Sequence, residues 1–419
     1  MTPRRQFLKS VSASAFAVPL LAQNGGGGLP RPDAPKYWDK IRDQFLLAHD
    51  KVFFNTGTIG AMPKVVVDAV VDHLRKMATD VADWDYRGEE WISGYGPQTE
   101  IRAKAARLLN ADVKEIALAE NVTAAMSYVA CGLDLEPGAE VITSDQEHVG
   151  GRGSWLVAEK RRKVVFKSIK LPKPAHSPRE ILDLMTQAIT PRTRVIMLSH
   201  VITASGAILP VRDICAEARR RGIFTVLDGA QALGHIPVDV KDIGCDAYVG
   251  CFHKWLLAPA GTGFLCVRGE RAQQIWSSLA SRQWDNHEDD GYRFTQRGTG
   301  SLSLLMGLEA ALDFHFAVGP ERVRQRIKFL GDYLREGLRK TPKVKIYSPE
   351  DASMCAGITV YNIEGFTGPR LQDEMWTRGR LRPRSSSDVH GVRQCTHIYN
   401  STEEIDRTLR IVRDLAKSA

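Results

Sequence analysis

The chain predicts an α/β fold: a large domain with a mostly parallel sheet sandwiched by helices, then a smaller C-terminal α+β domain. Three observations carry that expectation. From about residue 112, short apolar runs alternate with helical segments, the rhythm of a parallel sheet covered on both faces. Two of these runs, Ile223 to Leu227 and Ala247 to Gly250, lead into polar groups at Asp228 and at His253-Lys254. At 419 residues, 43% apolar and 25% charged, the chain is long enough for two sizeable cores.

Taken in order, residues 1–28 read as a leader and glycine linker. MTPRRQFLKS precedes an apolar stretch from Val11 to Ala22, and Gly25 to Gly28 follow. A basic start, a short apolar region and a small-residue exit describe a secretory signal. The stretch is too short to span a bilayer comfortably. Arg4-Arg5 before Phe7-Leu8-Lys9 resembles a twin-arginine signal. That implies export of a folded protein by the twin-arginine machinery, to the periplasm or outside a bacterial cell.

Residues 29–60 form an N-terminal segment, with a helix from Tyr37 to Leu47 and a strand and turn from Val52 to Gly57. The large domain, 61–318, opens with helical periodicity at Pro63 to Ala78 and Gln98 to Leu109. Strands are expected at 139–143, 163–169, 194–199, 223–227, 246–250 and 263–267. Helices fall at 123–132, 179–189 and 211–221, and a long one at 302–316 leads out. The smaller domain, 319–419, holds two helical segments flanking strands near 343–347, 356–361 and 391–398.

The formal charge is +8, with Lys160 to Lys163 as one visible basic cluster. No nucleic-acid motif accompanies it, so it reads as a solvated helix end. The seven cysteines form no CxxC pair and no metal-ligand spacing, so no metal site is expected.

In open α/β sheets, ligands bind beyond the carboxyl ends of the strands. Two successive strands would therefore bring Asp228, Gln231, His253 and Lys254 to one crevice. Pyridoxal phosphate needs such a set: a lysine for the Schiff base and an acid to keep the pyridine nitrogen protonated. The spacing DGAQ…HKW resembles the class V aminotransferase family of fold-type I pyridoxal-phosphate enzymes. Within it, HKWLLAPAGTGFL is most similar to the isopenicillin N epimerase-like branch. The resemblance spans about residues 50–415.

That resemblance implies roles, residue by residue. Lys254 would hold the cofactor and serve as base at the substrate Cα. Asp228 would pair with the ring nitrogen and Gln231 with the ring hydroxyl. Val122 and Thr123 open a helix whose free N–H groups suit a phosphate, with His253 adding a further contact. Cys251 stands where many relatives have a phosphate-binding serine. His148, in DQEHVGGRGSW, would stack on the ring, and Thr203 would lie near it where relatives often carry asparagine. Thr299, in RGTGS, would reach the phosphate of the neighbouring subunit in a homodimer. Arg393 fits the family's Arg…YN(T/S)xEEID pattern and would clamp a substrate carboxylate. Arg384 and Asn55 are further substrate-binding candidates.

The segment SSSDVHG lacks the nucleophilic cysteine of the family's desulfurases, which disfavours persulfide chemistry. Three outcomes remain for an amino-acid or peptide-like substrate: epimerisation or racemisation, transamination, and β-elimination of the C–S lyase kind. A non-catalytic pyridoxal-phosphate-binding protein is an alternative of another class. An NAD dehydrogenase is disfavoured, because no GxGxxG follows an early strand.

Overall fold

In the computed structural model, residues 28–83, 95–281, 283–296 and 298–418 are described. The leader expected at the amino terminus lies outside them, apart from Gly28. β1 is a two-residue strand, Val52–Phe53. The central sheet contains β2 (Ile116–Ala119), β3 (Glu140–Ser144), β4 (Val165–Ile169) and β5 (Thr193–Ser199). β6 (Phe224–Asp228), β7 (Ala247–Cys251) and β8 (Gly263–Val267) complete it. Its order is β2-β8-β7-β6-β5-β3-β4. β3 to β7 run parallel, and β8 runs antiparallel to both β2 and β7.

The near-continuous apolar runs form strands because both faces are covered. Along β5, Ile196 and Leu198 face one core while Val195 and Met197 face the other. Helices Val122–Gly132 and Val149–Arg162 pack on the second face. Helices Pro178–Ala188, Val211–Arg220 and Leu302–Val318 cover the first. The edge strand β4, VFKSI, has no buried position and is correspondingly more polar.

The smaller sheet has β9 (Val344–Ile346), β10 (Ile358–Ile363), β12 (Arg384–Ser387) and β13 (Gly391–Cys395), antiparallel in the order β12-β13-β10-β9. Three helices accompany it, Pro320–Arg339, Gly368–Gly379 and Thr402–Ser418, one more than expected. The two-residue β11, Leu381–Arg382, pairs in parallel with β1, so Val52 and Phe54 join the core of the small domain.

The structure adds elements that periodicity did not predict. Helix Val149–Arg162 carries three glycines, which lower helix propensity and mask its pattern. β2 and β12 are four residues each, too short for a pattern to emerge. The first helix stops at Arg42 instead of running to Leu47, because Phe45 leaves it to bridge Pro63.

Candidate active site

The carboxyl ends of β5, β6 and β7 meet the amino ends of the two helices on the second face. Asp228, the last residue of β6, is 3% exposed. Its Oδ1 accepts the Ala230 N–H at 2.8 Å. Among the described residues, Oδ2 has no hydrogen-bond donor. Burial pushes the carboxyl's pKa up, while the Ala230 N–H and the charges of Lys254 and His148 pull it down. Helix Val149–Arg162 approaches so closely that a Cβ on Gly151 would lie 3.0 Å from Oδ2. Only glycine leaves that space open.

Lys254 lies three residues past the end of β7 and is half-buried. Its neighbour Trp255 is fully buried and held on several sides. The indole N–H donates to Gln231 Oε1 at 2.8 Å, and His235 stacks on the ring with centroids 3.7 Å apart. His397 donates to the Trp255 carbonyl at 3.0 Å. From the other side, the Gly60 N–H bonds the His253 carbonyl at 2.8 Å. The lysine is therefore carried on a short, fixed loop.

Gln231 Nε2 donates to the Gly57 carbonyl at 2.8 Å and to Thr203 Oγ1 at 3.3 Å. The same threonine oxygen accepts Arg393 Nη1. Arg393, on β13, also donates from Nη2 to Asn55 Oδ1 at 3.0 Å and Thr58 Oγ1 at 2.9 Å. Among the described residues its Nε is buried without a partner. Arg384 Nη1 reaches the same Thr58 oxygen at 3.1 Å. Asn55, Thr203, Gln231, Arg384 and Arg393 thus form one network.

Asn121 caps helix Val122–Gly132 through the Ala124 N–H, and Val122 and Thr123 form its first turn. His148 caps the neighbouring helix, its Nδ1 accepting the Gly150 N–H at 3.1 Å. A neutral His148 ring therefore carries its proton on Nε2. Desolvation, then the Lys254 charge, lower its pKa, while Asp228 acts in the opposite sense. A Cβ on Gly150 would come within 2.7 Å of Thr123 Oγ1, so the two helix starts converge. His253 Nδ1 lies 3.3 Å from the Thr262 carbonyl, and desolvation lowers its pKa too.

Two candidates sit differently from the rest. Cys251 is buried, its thiol directed at the Ala230 carbonyl at 3.7 Å and its pKa pushed up to about 11 by burial. A neutral thiol already aimed at a carbonyl is a poor phosphate donor. Thr299 is exposed in the turn before helix Leu302–Val318.

The profile of the family described as aminotransferase class-V matches residues 52–410. The chain belongs to the class-V aminotransferase family. It is 31% identical over 387 residues to an isopenicillin N epimerase of Streptomyces clavuligerus, covering 88% of this chain and 96% of that one. It is 29% identical over 404 residues to a probable cysteine desulfurase of Xylella fastidiosa, covering 90% and 94% of the two chains. A solved structure of C-DES, a mutant with glycine covalently linked to its PLP cofactor, superposes with a TM-score of 0.81. Its identity is 25%, over 89% of this chain and 99% of that one.

The large and small domains are thus the fold-type I arrangement of class-V aminotransferases. The geometry also identifies residues that the sequence reading left unassigned. Thr58 links the two arginines, and Trp255 anchors the lysine loop. Glu147 is buried, accepting from Ser144 Oγ at 2.7 Å, from the Ser199 N–H at 2.9 Å and from Ser199 Oγ. Burial pushes its carboxyl up to about 7, and nearby Asp228 adds to the effect. Its place beside His148 in DQEHVGG was the available signal.

Proposed function

We propose that this class-V aminotransferase-fold enzyme uses pyridoxal 5'-phosphate to act at the Cα of an amino acid or peptide-like amine. One observation carries the reading. Asp228, buried at the end of β6, and half-buried Lys254, just past β7, support it, together with Arg393, tied to Gln231 through Thr203.

The residues fit the cofactor. Asp228 Oδ2 is the acceptor left open for a protonated ring nitrogen, and glycine at 151 keeps the approach to it clear. Thr123, the Val122 helix start and His253 would hold the phosphate. His148, with its proton on Nε2, would lie against the ring. Gln231 would hold the ring hydroxyl, giving up its longer bond, the one to Thr203. When bound, the cofactor supplies an electron sink that acidifies the substrate Cα–H.

The protein's own groups then do the positioning and the proton transfer. Lys254 Nζ would hold the cofactor through its aldehyde and serve as the base for the Cα proton; epimerisation would require a second acid to return a proton to the opposite face. The loop held by Trp255 keeps Nζ in place for that transfer. Arg393 holds the substrate carboxylate, with Asn55 and Thr203 fixing the plane of its guanidinium.

Similarity to an isopenicillin N epimerase supports epimerisation, with transamination as the related outcome. β-Elimination is the second reading, supported by similarity to a probable cysteine desulfurase. A route through an enzyme persulfide is not favoured: SSSDVHG has no cysteine, and Cys395 is fully buried. Two further parts belong to the proposal. The enzyme would work as a homodimer in which Thr299 completes the neighbouring phosphate site, and Arg4-Arg5 would direct twin-arginine export.

Purified protein given pyridoxal phosphate is expected to absorb in the visible, and borohydride should trap a pyridoxyl group on Lys254. Absence of both would overturn the cofactor reading. Incubation of amino acids in deuterated water separates the outcomes. Label at Cα without keto acid marks an epimerase, keto acid with pyridoxamine a transaminase, and pyruvate or thiol release a lyase. Analytical ultracentrifugation and a reporter fused to residues 1–28 test the dimer and the export signal.

A further inference from the structure

We propose that Arg384 and Arg393 form a paired-cation subsite that selects substrates carrying a second anionic group beyond the α-carboxylate. This rests on the proposed amino-acid chemistry and narrows its substrate class.

The two arginines are Cα partners on the antiparallel strands β12 and β13. Directly opposed residues project from the same face of a sheet, and like charges placed there repel. Among the described residues, neither guanidinium has a carboxylate within salt-bridge distance. Both instead converge on Thr58 Oγ1, Arg384 Nη1 at 3.1 Å and Arg393 Nη2 at 2.9 Å. That hydroxyl donates onward to Asn55 Oδ1 at 2.8 Å. One hydroxyl has one proton and two lone pairs, so its hydrogen bonding is complete and fixes both guanidiniums beside each other. Burial, then the Arg393 charge, lower the Arg384 pKa, as expected for an uncompensated neighbour.

The pair is also graded. Arg393 is 5% exposed; among the described residues, three of its four Nη N–H groups go to Thr203, Asn55 and Thr58, which leaves one Nη1 N–H and the buried Nε for a ligand. Arg384 is exposed, and Thr58 is its one hydrogen-bond partner among the described residues. Through Thr58 and Thr203 the pair is hydrogen-bonded into the same network as Gln231, three residues past Asp228. A single α-carboxylate seated on Arg393 leaves the second fork facing the rim with its donors unused. A substrate with another carboxylate, further from Cα, satisfies it and removes the repulsion. The fitting class is an acidic amino acid, or a peptide-like amine with a distal carboxylate.

The test uses the pyridoxal-phosphate-loaded enzyme and follows the visible absorbance of the bound cofactor during titration. Glutamate and 2-aminoadipate are compared with their neutral counterparts norvaline and norleucine. Wild type is expected to respond to the acidic member of each pair at about 10- to 100-fold lower concentration, the value of one charged hydrogen-bonded pair. Arg384→Gln should shrink that ratio to within about threefold, and Arg384→Lys, which keeps charge without the fork, should retain part of it. No acidic preference in wild type, or a preference untouched by Arg384→Gln, overturns the inference alone. If Arg384→Gln fails to fold, the wild-type ratio and Arg384→Lys decide. Silence toward every amine overturns the proposed function and this inference with it.

Discussion

Helix Val149–Arg162 opens with Gly150, Gly151 and Gly153, and alanine at each should have a different consequence. At Gly151 the new methyl would sit 2.8 Å from Met197 Cε and 3.0 Å from Asp228 Oδ2. Methionine can swing away, so the fold absorbs that contact. Overpacking costs about 1–3 kcal/mol, and the gain from removing a helical glycine offsets about 0.5–1 kcal/mol of it. The carboxylate has less freedom, because Ala230 holds its other oxygen. It must retreat by a few tenths of an ångström. Weakening a charge-assisted hydrogen bond worth about 1.5–3 kcal/mol by roughly half loosens pyridoxal phosphate about three- to thirteenfold. At Gly153 nothing lies within 4 Å of an added Cβ, so alanine there should stabilise by about 0.5–1 kcal/mol and leave cofactor affinity alone. At Gly150 the methyl meets Thr123 Oγ1 at 2.7 Å, at the proposed phosphate cradle, and cofactor affinity should again fall. The assay is absorbance titration of each cofactor-stripped variant with pyridoxal phosphate, beside urea unfolding without it. Equal affinity for Gly151→Ala and Gly153→Ala would refute the claim that Asp228 Oδ2 faces the ring.

Other outcomes follow from buried groups. Trp255→Phe leaves Gln231 Oε1 buried without its donor, costing about 1–3 kcal/mol in urea unfolding; a loss under about 0.5 kcal/mol would remove the anchoring role. Burial lowers His200 and His315 to about 4, and His235 and His397 to about 3. A depressed histidine pKa gives stability that is present above the unfolded value of about 6.5 and lost as pH falls below it. At pH 5 that loss is about 2 kcal/mol per site. Glu147, pushed up to about 7, acts in the opposite sense and regains stability on acidification, but four histidines outweigh one carboxyl. Unfolding free energy should therefore drop by several kcal/mol between pH 7 and pH 5; a flat profile would contradict the buried neutral rings. Of the seven free cysteines only Cys131 is not buried, so a thiol-reactive dye should label about one site per native chain and seven after unfolding. Rapid native labelling of Cys395 would reopen the persulfide route.

By itself the sequence determined the alternation of strands and helices, the parallel character of the sheet, and the acid and lysine beyond its strand ends. Those features are local: a strand covered on both faces must be apolar throughout, and a site at its end must interrupt that run with polar groups. Asp228, Gln231, His253 and Lys254 lie within 27 residues and could be read together. Helix Val149–Arg162 was hidden because its three glycines, one of which admits Asp228, weaken its helical pattern. Only the tertiary structure decided the rest. Arg393 meets Asn55 across 338 residues, and Arg384 meets Thr58 across 326. Nothing in the neighbourhood of any of these residues encodes the others. Their meeting follows from β1 pairing with β11, which draws the N-terminal turn over the small domain and brings it against both arginines.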